Sequence, residues 1–247
     1  ELPGLKEYNN QKNFFSREKE TESVLELLQN NKLVTITSKS GTGKSSLVNS
    51  GIIPRLEKGF PGAAGRKWEI CKFRPGISPI INFCNKLSNN GHLYIDKKAK
   101  SSDFTNYIKQ IQKDSHALID LYNSSEIAGK KNLLVYIDQI EDLFIYKKFF
   151  DSENSQDDDL LIDLIYKSVK SEDSAVYFII NVQANYLSDL NIYGKFSELL
   201  SSTQYVVPNI DLKKLIKGIN ANNQNFNINF SPNGFNYIKN LITEDAT

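Results

Sequence analysis

Apolar residues recur along the chain in two ways, as short unbroken runs and as stretches repeating every three to four residues, and each predicts a different element. The runs are Leu33-Val34-Thr35-Ile36-Thr37, Trp68 to Phe73, Leu133-Leu134-Val135-Tyr136-Ile137, Ala175 to Ile180 and a short Tyr205-Val206-Val207 stopped by Pro208. A continuously apolar run such as 133–137 suits a strand covered on both faces. Helical spacing predicts helices over about Lys19 to Gln29, with Val24, Leu25 and Leu28 on one face, and over Lys44 to Gly51. It does so again from about Pro79 to Leu87, after the break Arg74-Pro75-Gly76, and over Leu160 to Val169. Residues 88–130 are mostly polar, with helical spacing at Phe104, Tyr107, Ile108 and Ile111 and again at Ala117, Leu118 and Leu121. They read as a helical insertion between core strands. Strands alternating with helices predict an α/β domain over residues 1–210, a parallel sheet between two helical layers. Beyond Asp211 the spacing is helical, at Leu212, Leu215 and Ile216 and then Phe235, Ile238 and Ile242, split by the turn Ser231-Pro232-Asn233-Gly234. Residues 211–247 therefore read as the start of a small helical domain, cut off before it forms its own core.

Composition narrows the class. The chain has 247 residues, 40% of them apolar, and 30 basic against 29 acidic residues leave a net charge of +1. So small a charge gives no bulk attraction to nucleic acid or membrane, although a local basic groove stays open. Cys71 and Cys84 form neither a C-x-x-C pair nor a metal-ligand spacing with the two histidines. They are expected to be reduced and partly buried, as in the cytoplasm. No stretch approaches a membrane span, and the polar N-terminus is no secretory signal. The chain begins at Glu1 and ends at Thr247, and reads as a portion of something longer. The acidic stretch Asp151 to Asp159 lacks the central glycine and terminal glutamate of a calcium loop, and reads as a solvated lead-in to the next helix.

The most specific chemistry follows the first run. Ser38-Lys39-Ser40-Gly41-Thr42-Gly43-Lys44-Ser45-Ser46 lies between a predicted strand and Leu47-Val48-Asn49, the strand–loop–helix setting of a phosphate-binding loop. Backbone N–H groups of Ser40, Gly41, Thr42, Gly43, Lys44, Ser45 and Ser46 would wrap phosphates. Lys44 would reach the β and γ oxygens, and the Ser45 hydroxyl would ligate Mg²⁺. Ser38 stands where the pattern has its first glycine, which is tolerable if the backbone there avoids a glycine-only conformation. Asp138, at the end of the run 133–137, is the expected second metal-side group, holding Mg²⁺ through water beside Ser45. Glu141 is the candidate for polarising an attacking water, with Gln139 the nearer rival; only the carboxylate can also accept the proton. Asp142 is assigned to the start of the following helix. In Asn181-Val182-Gln183-Ala184-Asn185, Gln183 or Asn181 could sense the γ-phosphate, or the stretch is ordinary loop polarity. Neither carries the charge that would best stabilise a developing phosphoryl charge.

Several blocks together resemble the novel STAND NTPases. They are Phe14-Phe15-Ser16-Arg17-Glu18-x-Glu20, the loop extended through Gly51-Ile52-Ile53-Pro54-Arg55-Leu56, Phe73-Arg74-Pro75-Gly76 with Pro79, and Val135-Tyr136-Ile137-Asp138-Gln139-Ile140-Glu141-Asp142-Leu143-Phe144. The resemblance covers roughly residues 2–220. It implies a P-loop NTPase of the AAA+-like branch, with a mainly parallel five-stranded sheet in the order 5-1-4-3-2 and a helical lid domain beginning at about residue 211. The implied ligands are ATP or ADP with Mg²⁺; adenine rests on the resemblance, and no guanine-recognition block follows the fourth strand. Also implied are homo-oligomerisation on activation, downstream repeat-sensor and effector regions, and a role in signal transduction, often bacterial antiviral defence. Arg17 is implied near the nucleotide, at base or phosphate, against the alternative of a surface arginine. Arg74 could face a neighbouring subunit's phosphate, but a structural ion pair is the expected role. Ser16 and Ser38 replace family glycines, and Val182-Gln183-Ala184-Asn185 stands where relatives have Leu-Arg-x-Asp. These departures weigh against fast hydrolysis more than against binding. The expected function is an ATP/ADP switch with slow Mg-dependent hydrolysis. The alternatives are a hydrolysis-inactive nucleotide-binding scaffold and an AAA+-type nucleic-acid ATPase, for which Lys97-Lys98 and Lys213-Lys214 are sparse support.

Overall fold

The computed structural model describes residues 17–89, 93, 103–149, 155–172 and 174–209. Five strands, β1 (Leu33–Ser38), β2 (Trp68–Phe73), β3 (Asn132–Ile137), β4 (Val176–Gln183) and β5 (Gln204–Val206), form one sheet in the order β2-β3-β4-β1-β5. Every neighbouring pair is parallel. The three-layer α/β/α class and the strand order expected from the sequence are those observed. Every residue of β1 and β3 is buried, which is why β3 carries an unbroken apolar run and β1 buries Thr35 and Thr37 among its aliphatic residues.

The helices are α1 (Glu18–Asn30), α2 (Lys44–Ser46), α3 (Ile53–Glu57), α4 (Pro79–Asn89), α5 (Asp103–Lys113), α6 (Ala117–Asn123), α7 (Asp142–Phe149), α8 (Ser155–Lys170) and α9 (Lys195–Ser202). On one face of the sheet α1 packs against the segment joining α2 to α3, burying Val24, Leu25 and Leu28. On the other, α4, α5, α6, α8 and α9 pack together, with Phe83 of α4 meeting Phe73 of β2 at a ring separation of 4.9 Å. Cys71 on β2 and Cys84 on α4 are free and fully buried, and loss of hydration pushes both thiols up to about 12.

Register positions the chemistry. Ser38 lies opposite Gln183, and Ile137 lies opposite Phe73 on one side and Ile180 on the other. The C-terminal ends of β1, β3 and β4 therefore form one edge, where open α/β sheets bind ligands.

Four details differ from the sequence reading. The helix expected over Lys44 to Gly51 widens into a π-helical stretch over Leu47–Ile52 and continues to Glu57. Pro54 has no N–H to give, and the wider turn before it accommodates the ring inside a continuous helix. β4 extends past Ile180 to Gln183, because Asn181 and Val182 pair with Ile36 and Thr37. Residues 155–159 of the acidic stretch belong to α8, where Asp157 and Asp158 sit in the first turn and suit the helix dipole. Between β4 and β5 come two 3-10 turns, Ala184–Tyr186 and Asp189–Tyr193, and then α9, which no element in the sequence reading anticipated. The block Phe14-Phe15-Ser16, part of the insertion expected over 88–130 and the helical domain expected to begin at 211 lie outside the described residues. Among the described residues no helix is long and apolar enough to cross a membrane.

Candidate nucleotide site

β1 ends at Ser38, the chain turns through the loop, and α2 begins at Lys44. The turn needs positive φ twice, 78° at Gly41 and 91° at Gly43. A Cβ at either glycine would meet nothing within 4 Å, so backbone conformation and not crowding demands glycine there. Ser38 is not among the residues with positive φ, which explains how it replaces the first glycine of the pattern. Its hydroxyl pairs with that of Thr42, whose Oγ1 also donates to the Lys39 carbonyl at 3.0 Å.

Lys44 is buried and turned back along the loop. Its Nζ donates to the carbonyls of Ser38 and Lys39, both at 3.1 Å, and to Ser38 Oγ at 3.3 Å. Burial holds its pKa below the usual lysine value, while the negative potential of Glu141 and Asp138 works in the opposite direction.

One residue further on, Ser45 Oγ donates to Asp138 Oδ1 at 3.0 Å. The same oxygen accepts from Asn181 Nδ2 at 3.0 Å, and Asn181 Nδ2 also donates to the Tyr136 hydroxyl at 2.6 Å. Asn181 is 1% exposed and aimed at Asp138, so its visible work is to hold that carboxylate. Tyr136 adds a group that the sequence reading passed over. It is the one residue of β3 that brings a hydroxyl into an otherwise aliphatic centre, which was the available signal.

Glu141 and Gln183 also meet. Glu141 is 1% exposed; its Oε2 accepts from the Gln183 backbone N–H at 3.4 Å, and its Oε1 has no hydrogen-bond partner among the described residues. Burial pushes its pKa above the usual carboxyl value, against opposing hydrogen bonds from its own and Gln183's backbone, the Lys44 charge and the Gln183 side chain. The half-buried Gln139 sits at the tip of the β3–α7 turn with φ 62°, the one non-glycine residue in the left-handed region among those described. That turn is tied to both neighbours, Asp138 N–H to the Phe73 carbonyl and Ile140 N–H to the Asn181 carbonyl, each at 3.0 Å.

The two arginines make backbone and carboxylate contacts. Arg17, 5% exposed, donates from Nη2 to the Thr42 carbonyl at 3.0 Å and from Nη1 to the Pro208 carbonyl at 2.8 Å, with Glu20 Oε1 at 3.5 Å. Arg74 forms the expected ion pair, Nε and Nη2 reaching the two oxygens of Asp142 at 2.6 and 2.9 Å. Asp142 does begin α7, but its carboxylate serves Arg74 and the Gly76 N–H, at 3.2 Å, tying the exit of β2 to that helix. Asp142 is 1% exposed while the arginine is 56% exposed. Arg74→Ala is therefore expected to lower stability by about 1–2 kcal/mol, less than loss of a fully buried pair. A denaturant midpoint unchanged from wild type would show that the pair contributes nothing.

The donors near Ser45 are all oxygens, as Mg²⁺ prefers. Among the described residues no group of three or more His, Cys, Asp or Glu side chains could hold a metal alone. Ser45 and Asp138 thus fit an ion that takes its remaining ligands from phosphate and water, and not a protein-caged one.

A parallel sheet in this order, with its first strand running into Gly-Thr-Gly-Lys-Ser and an aspartate ending its third, defines a P-loop NTPase core. The model of the novel STAND NTPase 1 family matches residues 2–246, and the chain belongs to that family. Among solved structures it is similar to a Walker-type ATPase of Pyrococcus abyssi, with 16% identity and a TM-score of 0.57, covering 94% of this chain and 65% of the other. It is also similar to the ORC2 protein of Aeropyrum pernix in ADPNP-ADP complexes, with 12% identity, a TM-score of 0.57 and coverage of 90% and 54%. AMPPCP-bound DnaA from Aquifex aeolicus gives 15% identity, a TM-score of 0.52 and coverage of 95% and 61%. The chain thus spans between 54% and 65% of these proteins' lengths, and at such identities the likeness is one of fold. No curated protein sequence matches the chain.

Proposed function

We propose that this domain binds ATP or ADP with Mg²⁺ at the loop over residues 38–46 and works as a switch with slow hydrolysis. The observation that carries the reading is the hydrogen bond from Ser45 Oγ to Asp138 Oδ1 beside the buried Lys44, which joins the loop to the acidic strand end. Ser40 to Ser46 would supply N–H groups to the phosphates, and Lys44 would leave its two carbonyl partners for the β and γ oxygens. Ser45 and Asp138 would hold Mg²⁺, whose chemistry there is to neutralise phosphate charge. Asn181 and Tyr136 keep Asp138 aimed at Ser45.

Glu141 is the proposed acceptor of the attacking water's proton, since its Oε1 has no partner among the described residues. Gln139 remains the nearer polar side chain in sequence. Gln183 offers no charge, and its backbone and side chain both engage Glu141, which favours slow turnover. A hydrolysis-inactive scaffold is the second reading, favoured by that same engagement and by a carboxyl whose proton burial holds more tightly.

Family membership supports adenine as the base, nucleotide-dependent homo-oligomerisation, signalling to sensor and effector regions of a longer protein, and a part in antiviral defence. The two buried free thiols fit a reducing, cytoplasmic setting. Net charge near zero disfavours nucleic acid as the partner. The test is sedimentation of the full chain with Mg-ADP and with a non-hydrolysable Mg-ATP analogue. Larger species with the analogue alone are expected; identical sedimentation in both would exclude the switch.

A further inference from the structure

Loop carbonyls are a liability in an anion site, because each one turned inward repels phosphate oxygen. Here the carbonyls of Ser38, Lys39, Thr42 and Gly43 each have a donor that holds them away. Lys44 Nζ takes the carbonyls of Ser38 and Lys39, and the Leu47 N–H takes that of Gly43 at 2.9 Å. The Thr42 carbonyl is taken by Arg17 Nη2 at 3.0 Å, from a residue 25 positions upstream.

That contact bears on the least constrained peptide of the loop. Thr42 lies between Gly41 and Gly43, both at positive φ, where glycine has the freest backbone. A trans peptide is planar, so the Thr42 C=O and the Gly43 N–H point in opposite directions. Fixing one fixes the other. The guanidinium is itself held, by the Pro208 carbonyl at 2.8 Å and Glu20 at 3.5 Å, and it is a planar fork of several donors.

We infer that Arg17 is a positioning residue of the phosphate loop: by holding the Thr42 carbonyl outward, it turns the Gly43 N–H toward the phosphate without touching the nucleotide. The inference rests on the reading of loop 38–46 as a phosphate site. Lysine at position 17 supplies one donor head where arginine supplies two, and keeps only part of the effect.

The test uses the full chain with Arg17→Ala and Arg17→Lys, calorimetry with Mg-ADP and Mg-GDP, and the amide resonance of Gly43 in the nucleotide-free protein. Arg17→Ala is expected to weaken ADP and GDP by the same factor, about tenfold, with Arg17→Lys between it and wild type. The Gly43 amide resonance is expected to shift in both variants while amides of β3 stay in place. Affinity within twofold of wild type overturns the inference, and so does a loss confined to ADP, which marks a contact with the base. If the wild-type chain binds neither nucleotide, the phosphate-site reading fails separately. An unmoved Gly43 amide in Arg17→Lys then overturns the positioning role as well.

Discussion

Lys44→Ala is expected to remove detectable Mg-ATP binding while leaving the fold in place. In the proposed complex its ammonium faces two phosphate oxygens, and charge-assisted hydrogen bonds of that kind are worth roughly 1.5–3 kcal/mol each. Losing both corresponds to a fall in affinity of at least about 100-fold. The fold has less reason to suffer. The side chain is a cation held in a desolvated position with a lowered pKa, so its removal relieves one cost while releasing the Ser38 and Lys39 carbonyls. Calorimetry on the variant, beside a thermal melt, separates the two effects. Equal affinity in mutant and wild type would remove Lys44 from the site.

Glu141→Gln is expected to separate turnover from both binding and stability. Single-turnover hydrolysis should fall by about 100-fold or more, the usual contribution of a general base, with nucleotide affinity retained. An unchanged rate would move the base elsewhere, Gln139 being the next group to substitute. Stability should move the other way, with a sign set by linkage. Burial raises the Glu141 pKa above its ordinary value of 4.5, so the folded chain holds this proton more tightly than the unfolded chain does. The associated stability is complete below pH 4.5 and is lost as pH rises through the folded-state pKa. Glutamine carries no charge to desolvate at any pH. The variant should therefore melt above wild type at pH 8 and alongside it at pH 4. A lower melting temperature at pH 8 would show that ionised Glu141 stabilises the fold.

The sequence carried the sheet because β1 and β3 are buried on both faces, which gives β3 an unbroken apolar run and β1 aliphatic residues around Thr35 and Thr37. It carried Lys44, Ser45 and Asp138 because their spacing follows from a strand, a tight loop and a second strand's end. Thr42 and Pro208 as partners of Arg17 were illegible, since the contacts are to main-chain carbonyls, and any residue type supplies a carbonyl. The fourth strand's true end was hidden for a related reason. Asn181 looks like loop polarity until Tyr136 and Asp138 appear beside it as partners. α9 was missed although Phe196 and Leu200 lie four apart and are both buried, because its eight residues offer barely two helical turns of pattern. The π-helical widening before Pro54 left only an indirect mark, a proline where a helix continues.

The buried thiols have a practical consequence. Alkylating reagents attack thiolate, and Cys71 and Cys84 are both fully buried, with burial pushing their thiols up to about 12, so the folded chain is expected to be silent to maleimide at neutral pH. Any labelling of these sites therefore times the opening of the β2–α4 layer and serves as an unfolding clock. The same silence makes the native sequence a ready background for single-site dyes. A cysteine introduced at the exposed Lys39 would be the sole fast-reacting thiol, placing a fluorophore on the rim of the phosphate loop.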